Sequence, residues 1–269
     1  MRGRVLVIAG SDSGGGAGIQ ADIKAITALG AYAATAITAL TAQDTLGVHG
    51  VLPVPPDFVR LQAETVLADL GADAIKTGML GSAAMVEAVA ALLAERAPGI
   101  PLVVDPVMVA KGGARLLDPG AVAALKRDLL PLAALVTPNI PEAEALTGLA
   151  ITGPEEMRHA ADALLTLGAP AVLLKGGHLP GSIAVDVLAT LDGVVPLQHP
   201  RIATRHTHGT GCTLASAIAA GLAQDMALRD AVERARAYVQ AAIAGAPGYG
   251  RGHGPLNHAV RLDEVFHQA

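Results

Sequence analysis

The sequence predicts an α/β protein with a mostly parallel central sheet and helices on both faces. Three observations carry that prediction. Short apolar runs of strand length alternate with helix-length segments along most of the chain, at the spacing of βαβ units. The strand segments are apolar throughout, as strands covered on both faces are. Polar residues, with Met79 beside Gly78, gather at their carboxyl ends: Asp12, Gln43, Asp105, Asn139 and Lys175. Ligands bind at that edge in open α/β sheets.

The elements follow in order. Residues 5–9 read as a buried strand, 10–18 as a glycine-rich loop and 19–29 as a helix closed by Gly30. The loop misses the dinucleotide spacing G-x-G-x-x-G, because Ile19 stands where the last glycine counted from Gly14 belongs. Residues 33–40 read as a second strand and 48–54 as a short flap strand. A helix over 57–69 has Asp57 as its candidate cap. Residues 74–76 form a strand, and Ser82 caps a helix reaching Ala94. Strands at 101–104, 135–137 and 171–175 alternate with helices at 119–130 and 154–167. Residues 107–116, with Lys111-Gly112-Gly113, read as a closing flap over the site. Residues 183–188 and 194–197 read as antiparallel strands near the sheet edge, followed by helices at 213–223 and 228–242 and a loop at 248–255.

Composition narrows the function classes. The 269 residues suit one large domain, and 52% of them are apolar, enough for a sizeable core. Aromatics make up only 2%, so Ala, Leu, Val and Ile fill it. Net charge is -5 with no basic block, which argues against nucleic-acid binding. A single cysteine excludes an intrachain disulfide and lends no support to a zinc cluster. No apolar run reaches membrane-spanning length, and the start of the chain lacks a signal-peptide core, so a cytoplasmic protein is expected. The chain contains no P-loop motif.

The stretch His206-Thr207-His208-Gly209-Thr210-Gly211-Cys212 feeds a small-residue helix. Backbone N–H groups at a helix start lack intrahelical partners, and the dipole there favours an anion. This is the expected phosphate position; a glycine-rich loop with an ordinary cap is the alternative. Lys175, after three apolar strand residues and before two glycines, can set a positive charge against phosphates. Asn139 and Glu142 lie three apart, so one helical turn brings them together. Gln43 offers a donor and an acceptor on one amide.

These segments resemble the ribokinase-like superfamily and, within it, the hydroxymethylpyrimidine/phosphomethylpyrimidine kinases of thiamine biosynthesis. The resemblance covers nearly the whole chain. It is carried by Ala9-Gly10-Ser11-Asp12, residues 15–22, Ile37-Thr38-Ala39-Leu40-Thr41-Ala42-Gln43, Lys76-Thr77-Gly78-Met79-Leu80, Val104-Asp105-Pro106-Val107-Met108, Thr137-Pro138-Asn139 with Glu142, Lys175-Gly176-Gly177-His178, and His208-Gly209-Thr210-Gly211-Cys212. Most sugar kinases of the superfamily carry an aspartate where this chain has Cys212, whereas the pyrimidine kinases share the cysteine. The first loop reads Asp12-Ser13-Gly14-Gly15 where the family commonly has Asp-Pro-Ser-Gly.

The resemblance implies a three-layer αβα kinase domain over residues 1–269 with small flap elements. It would phosphorylate 4-amino-5-hydroxymethyl-2-methylpyrimidine, and then the monophosphate to the diphosphate, with ATP and Mg²⁺. It further implies a homodimer. Gly209, Thr210, Gly211, Cys212 and Lys175 are the expected catalytic group, with the Cys212 thiol pKa lowered by the helix end; a small packing residue is the alternative for Cys212. Gln43, Gly10, Ala17, Asp22, Met79 and Val107 are expected to hold the acceptor, although Asp22 can equally pair near Lys24. Thr137, Asn139, Lys175, His208 and Thr210 are expected to hold ATP. The apolar and glycine-rich residues 237–243 and 250–255 suit the adenine; an ordinary C-terminal packing segment is the alternative. Asp105 and Glu142 are expected at the metal, directly or through water; local capping is the other role open to each. Two alternatives remain: a pyridoxal or pyridoxine kinase of the same scaffold, and a catalytically inactive ligand-binding relative.

Overall fold

The computed structural model describes residues 1–109 and 118–260. Its elements run β1 (Arg4–Ala9), α1 (Gly18–Ala28), β2 (Tyr32–Ile37), β3 (Ala39–Gln43), β4 (Val48–Pro53), α2 (Pro56–Asp69), β5 (Ala74–Thr77) and α3 (Ala83–Arg96). Then come β6 (Leu102–Val104), α4 (Pro119–Ala124), β7 (Leu135–Val136), α5 (Ile140–Thr147), α6 (Pro154–Leu165) and β8 (Ala171–Leu174). The hairpin β9 (Ile183–Thr190) and β10 (Gly193–Pro200) precedes α7 (Thr210–Ala223) and α8 (Leu228–Ala244).

Eight strands form one sheet in the order β10-β9-β8-β7-β6-β5-β1-β2. Six neighbouring strands, β8 to β2 in that order, are parallel. The hairpin is antiparallel and extends one edge. From β1 the chain runs outward to β2 and then returns to β5 on the other side of β1, so the strand order reverses there. Crevices at such reversals, beyond the carboxyl ends of the strands, are where open α/β sheets take ligands.

Side chains along each strand alternate between two cores. Leu6 and Ile8, Ile75, Leu102 and Val104, and Val172 and Leu174 face the layer built by α2 to α6. Val5, Val7 and Ala9, Ala74, Val103, and Ala171 and Leu173 face α1, α7 and α8. This parity sends Lys76, next to Ile75, toward α1 and α7. Alanines dominate the inward faces of α7 and α8, which lets the two helices lie close together.

Several sequence expectations change in the fold. The strand expected over 33–40 breaks at Thr38, whose N–H donates to Ala9 O and whose hydroxyl donates to Met79 O. The chain then leaves the sheet, and β3 pairs with β4 as a separate two-stranded flap. Pro55, not Asp57, is the cap position of α2; Asp57 sits in its first turn, where its charge complements the helix dipole. Ser82 caps α3 as expected, accepting from Met85 N–H. The helix expected over 119–130 is α-helical only to Ala124, then widens into a π segment at Leu125–Leu129 and tightens into a 3₁₀ turn at Leu130–Leu132, where Pro131 cannot donate an amide. α5 is an additional helix, started by Asn139 and ended by Gly148 at φ 76°. The flap expected over 107–116 lies outside the described residues apart from 107–109.

Candidate active site

A cavity of about 1120 Å³ opens at the carboxyl ends of the parallel strands. All the residues picked out at the strand ends line it: Asp12, Gln43, Met79, Asp105, Asn139 and Lys175. Gly10, Ala17, Val107, Glu142, His208 and the run Gly209, Thr210, Gly211 and Cys212 line it as well.

α7 begins against this space. Gly209 is its cap residue at φ 81°, and a Cβ there would collide with the Gly16 carbonyl. Only glycine meets both demands, so the two glycine loops lock together at this point. Thr213 N–H bonds back to Gly209 O, and the Thr210 hydroxyl donates to Thr207 O. The Gly211 and Cys212 amides belong to the first turn, which has no intrahelical acceptors. They form a natural cradle for an anion.

Charges face this helix start from two sides. Lys175 Nζ donates to Asp105 Oδ1 at 3.0 Å, and a Cβ on Gly211 would come within 3.2 Å of that Nζ. Burial disfavours the ammonium, but Asp105 and Glu142 outweigh it and raise the Lys175 pKa. On the second side Lys76, fully buried on β5, donates to both carboxylate oxygens of Asp22 at 3.0 Å, and the Ser216 hydroxyl donates to Asp22 at 2.7 Å. Lys76 lines the cavity; Asp22 lies behind it. Asp22 is therefore a buried counter-ion and not a wall residue, and it pairs with Lys76. Lys24 instead donates to Gly15 O.

The Cys212 thiol departs from the expectation of a lowered pKa. Burial pushes it up to about 12, against the opposing pull of Lys76 and an N–H donated by Gly18. Removal from water outweighs the helix end because the neighbouring cation is already neutralised by Asp22.

Asn139 and Glu142 form a reciprocal capping box. Asn139 Oδ1 accepts from Glu142 N–H at 2.9 Å, and Glu142 Oε2 accepts from Asn139 N–H at 2.8 Å. Both side chains nonetheless line the cavity, so capping and site roles coincide here. Burial, reinforced by Asp105, raises Glu142 to about 7. Thr137 is buried beneath this group, its hydroxyl 3.3 Å from Asp105 Oδ1, and does not reach the cavity wall. Its strand-end side chain packs into the core, which removes it from direct contact with a nucleotide.

At the other end, Asp12 gathers four donors. Gly14 N–H donates to Oδ1, while Gly16 N–H and Ala17 N–H donate to Oδ2. His208 Nε2 lies 2.9 Å from the same Oδ2. Burial works against this carboxylate, yet these bonds hold its pKa below the ordinary value. His208 Nε2 is also 3.3 Å from the Gln43 amide, which on its other side meets Thr41 Oγ1 at 3.3 Å. His208, expected at ATP, is thus hydrogen-bonded with Gln43 and Asp12.

Gln240 and Ile243, from the 237–243 segment expected beside adenine, line the cavity. The 250–255 loop does not. It is held against Thr45, with Gly252 N–H and His253 N–H donating to the Thr45 hydroxyl and carbonyl. Residues missed in the sequence also appear: Lys76, His199 and Arg201. Lys76 carried a signal, a charge inside an apolar strand, because lysine is rarely buried without a partner. His199 and Arg201 arrive only through the β9–β10 pairing, which nothing local announces.

A layered α/β sheet, an anion cradle at a helix start and a lysine–carboxylate pair in one cleft define a small-molecule phosphotransferase. The comparisons agree. The chain matches the phosphomethylpyrimidine kinase family model over residues 12–257. It is 56% identical over 98% of its length to the thiamine biosynthesis bifunctional protein of Geobacter sulfurreducens, of which it spans about half, 54%. It is 48% identical to the hydroxymethylpyrimidine/phosphomethylpyrimidine kinase of Bacillus subtilis, covering 95% of this chain and 94% of the relative. An ADP complex of Bacillus subtilis pyridoxal kinase superposes with a TM-score of 0.90 at 38% identity, covering 96% of this chain and 98% of the other. The chain belongs to the phosphomethylpyrimidine kinase family.

Proposed function

We propose that this kinase transfers the γ-phosphoryl group of ATP to 4-amino-5-hydroxymethyl-2-methylpyrimidine, and then to its monophosphate, as a step of thiamine biosynthesis. One observation carries the reading: the helix start at Gly209–Cys212, the Lys175–Asp105 pair and the Gln43 amide all face a single cavity. Phosphoryl transfer needs chiefly positioning and charge stabilisation. The first-turn amides of α7 receive the equatorial oxygens, and Lys175 supports them with a positive charge. Cys212 meets the acceptor hydroxyl as a neutral thiol, which suits a loose transition state that asks little of a base. Gln43 reads the aminopyrimidine edge; Gly10 and Ala17 leave room for the ring, and Met79 and Val107 pack its faces.

Asp105 and Glu142 fit a magnesium ion. Both bring carboxyl oxygens to the cavity beside Lys175, and magnesium takes oxygen ligands while keeping waters and substrate phosphate oxygens. It would supply charge neutralisation at the transferring group.

We further infer that residues 1–269 act as one domain, in the cytoplasm, as a homodimer. No helix among the described residues is long and apolar enough to cross a membrane. Leu40 and Leu52, paired across the flap, are exposed together with Phe58 and Leu61 on α2. Exposed large apolar side chains on these two elements are compatible with burial by a second copy.

The high structural similarity to a pyridoxal kinase keeps pyridoxal as the competing acceptor. A side-by-side assay with MgATP and the pyrimidine alcohol, its monophosphate, pyridoxal, pyridoxine and a sugar decides. The expected result is the highest kcat/KM for the two pyrimidines; a preference for pyridoxal overturns the reading.

A further inference from the structure

We infer that Asp12 and His208 are positioning residues that set which way round the Gln43 amide faces, and thereby the orientation in which the acceptor ring is read. This rests on the reading of Gln43 given above.

The argument begins at Asp12. Its two oxygens already accept three backbone N–H bonds, and an ionised carboxylate has nothing to donate. His208 Nε2, 2.9 Å from Oδ2, must therefore carry the proton and donate it. A protonated Nε2 facing the amide nitrogen of Gln43 at 3.3 Å sets one donor against another. The opposite contact has a similar conflict. Thr41 has one hydroxyl proton, and Ser11 O takes it at 2.9 Å, so Thr41 has only lone pairs left for the amide oxygen at 3.3 Å.

Turning the amide through 180° removes both conflicts. The Gln43 oxygen then faces the His208 Nε2–H as the longer, minor arm of a bifurcated bond whose shorter arm goes to Asp12 Oδ2, and the Gln43 nitrogen donates to Thr41 Oγ1. Each amide atom keeps one remaining site: a carbonyl lone pair on the His208 side and an N–H on the Thr41 side. Gln43 lines the cavity, so these two sites are what it offers a ligand. An aminopyrimidine edge carries an exocyclic N–H donor beside a ring-nitrogen acceptor, and it matches this pair in one sense only. The reverse amide would exchange donor and acceptor and call for the ring the other way round, with its hydroxymethyl group on the wrong side. The chain Asp12–His208–Gln43 thus converts a fixed carboxylate into a fixed reading frame for the substrate. The elements that hold it are independent: the first glycine loop for Asp12, the segment before α7 for His208 and the flap for Gln43.

The test compares wild type, His208→Leu, His208→Asn and His208→Gln. Each receives the pyrimidine alcohol and the analogue lacking its 4-amino group, with MgATP. Glutamine carries an N–H donor near the place of Nε2; leucine has none, and asparagine is too short to bring one there. The expected result is a fall of about tenfold in the preference for the amino ring in the Leu and Asn variants, the scale of one hydrogen bond. Preference returns in His208→Gln. On a Gln43→Met background the same His208 changes no longer alter the preference. Should His208→Leu fail to fold, Asn and Gln decide between themselves. Equal preference in Asn and Gln variants, or effects additive with Gln43→Met, overturns the inference while leaving a pyrimidine kinase intact. A wild-type enzyme inactive on the pyrimidine overturns the functional reading and this inference together.

Discussion

Single residues here take their chemistry from burial as much as from type. His258 is buried against the Thr213 hydroxyl at 2.9 Å, and burial, helped by the charge of Lys24, lowers its pKa from 6.5 to about 4. The folded state thus resists a proton that the unfolded chain accepts. Its contribution is complete above pH 6.5 and is lost as the pH falls from 6.5 toward 4. Between pH 7 and pH 5 the loss amounts to about 2 kcal/mol. Denaturant titrations of wild type and His258→Gln at both pH values measure it; parallel pH dependence in the two proteins contradicts the prediction. Cys212 illustrates the same rule at the site. If the neutral thiol partners the acceptor hydroxyl, Cys212→Ser keeps most turnover while Cys212→Ala loses about a hundredfold in kcat. Wild-type rates in both variants would return Cys212 to packing.

At the scale of elements, α5 ties a helix cap to the end of the cavity that holds Asp105 and Lys175. Asn139 starts the helix and, through the reciprocal bond, holds Glu142 where it lines the cavity. Asn139→Ala costs about 1 kcal/mol of stability. It also frees Glu142, so KM for MgATP rises several-fold, whereas Asn139→Asp restores the cap and most of the affinity. An unchanged KM in Asn139→Ala separates the cap from the site. The flap is the second such element. Its alternation turns Thr41 and Gln43 to the cavity and Leu40 to the outside, so one short strand contributes to both cavity wall and surface.

For the whole molecule, the exposed apolar side chains of the flap and of α2 go with the proposed homodimer. Light scattering should give twice the chain mass, and Leu52→Glu with Leu61→Glu should halve it. A monomeric wild type at working concentration removes the dimer. Because the flap carries Gln43, the double variant should also raise KM for the acceptor more than for ATP.

Sequence alone determined the alternation of strands and helices, the site edge, the glycine loops and the family. Those features are written in local pattern: apolar runs of a given period, Gly and Pro at turns, and polar residues where a strand stops. The break at Thr38 was not legible, because 33–40 carries no turn residue, and what marks the break, the Thr38 hydroxyl donating to Met79 O, is a contact between residues far apart in sequence. Nor were the pairings. Lys76 finds Asp22 because strand parity turns it toward α1, and His208 finds Asp12 because Gly209 lets the backbones of two distant loops touch. Neighbours 54 and 196 residues apart are set by strand order and layer, and these exist only once the sheet has formed. The protonation of Cys212 followed the same course: its place at a helix start was in the sequence, while the packing around it, which pushes the thiol up to about 12, belongs to the structure.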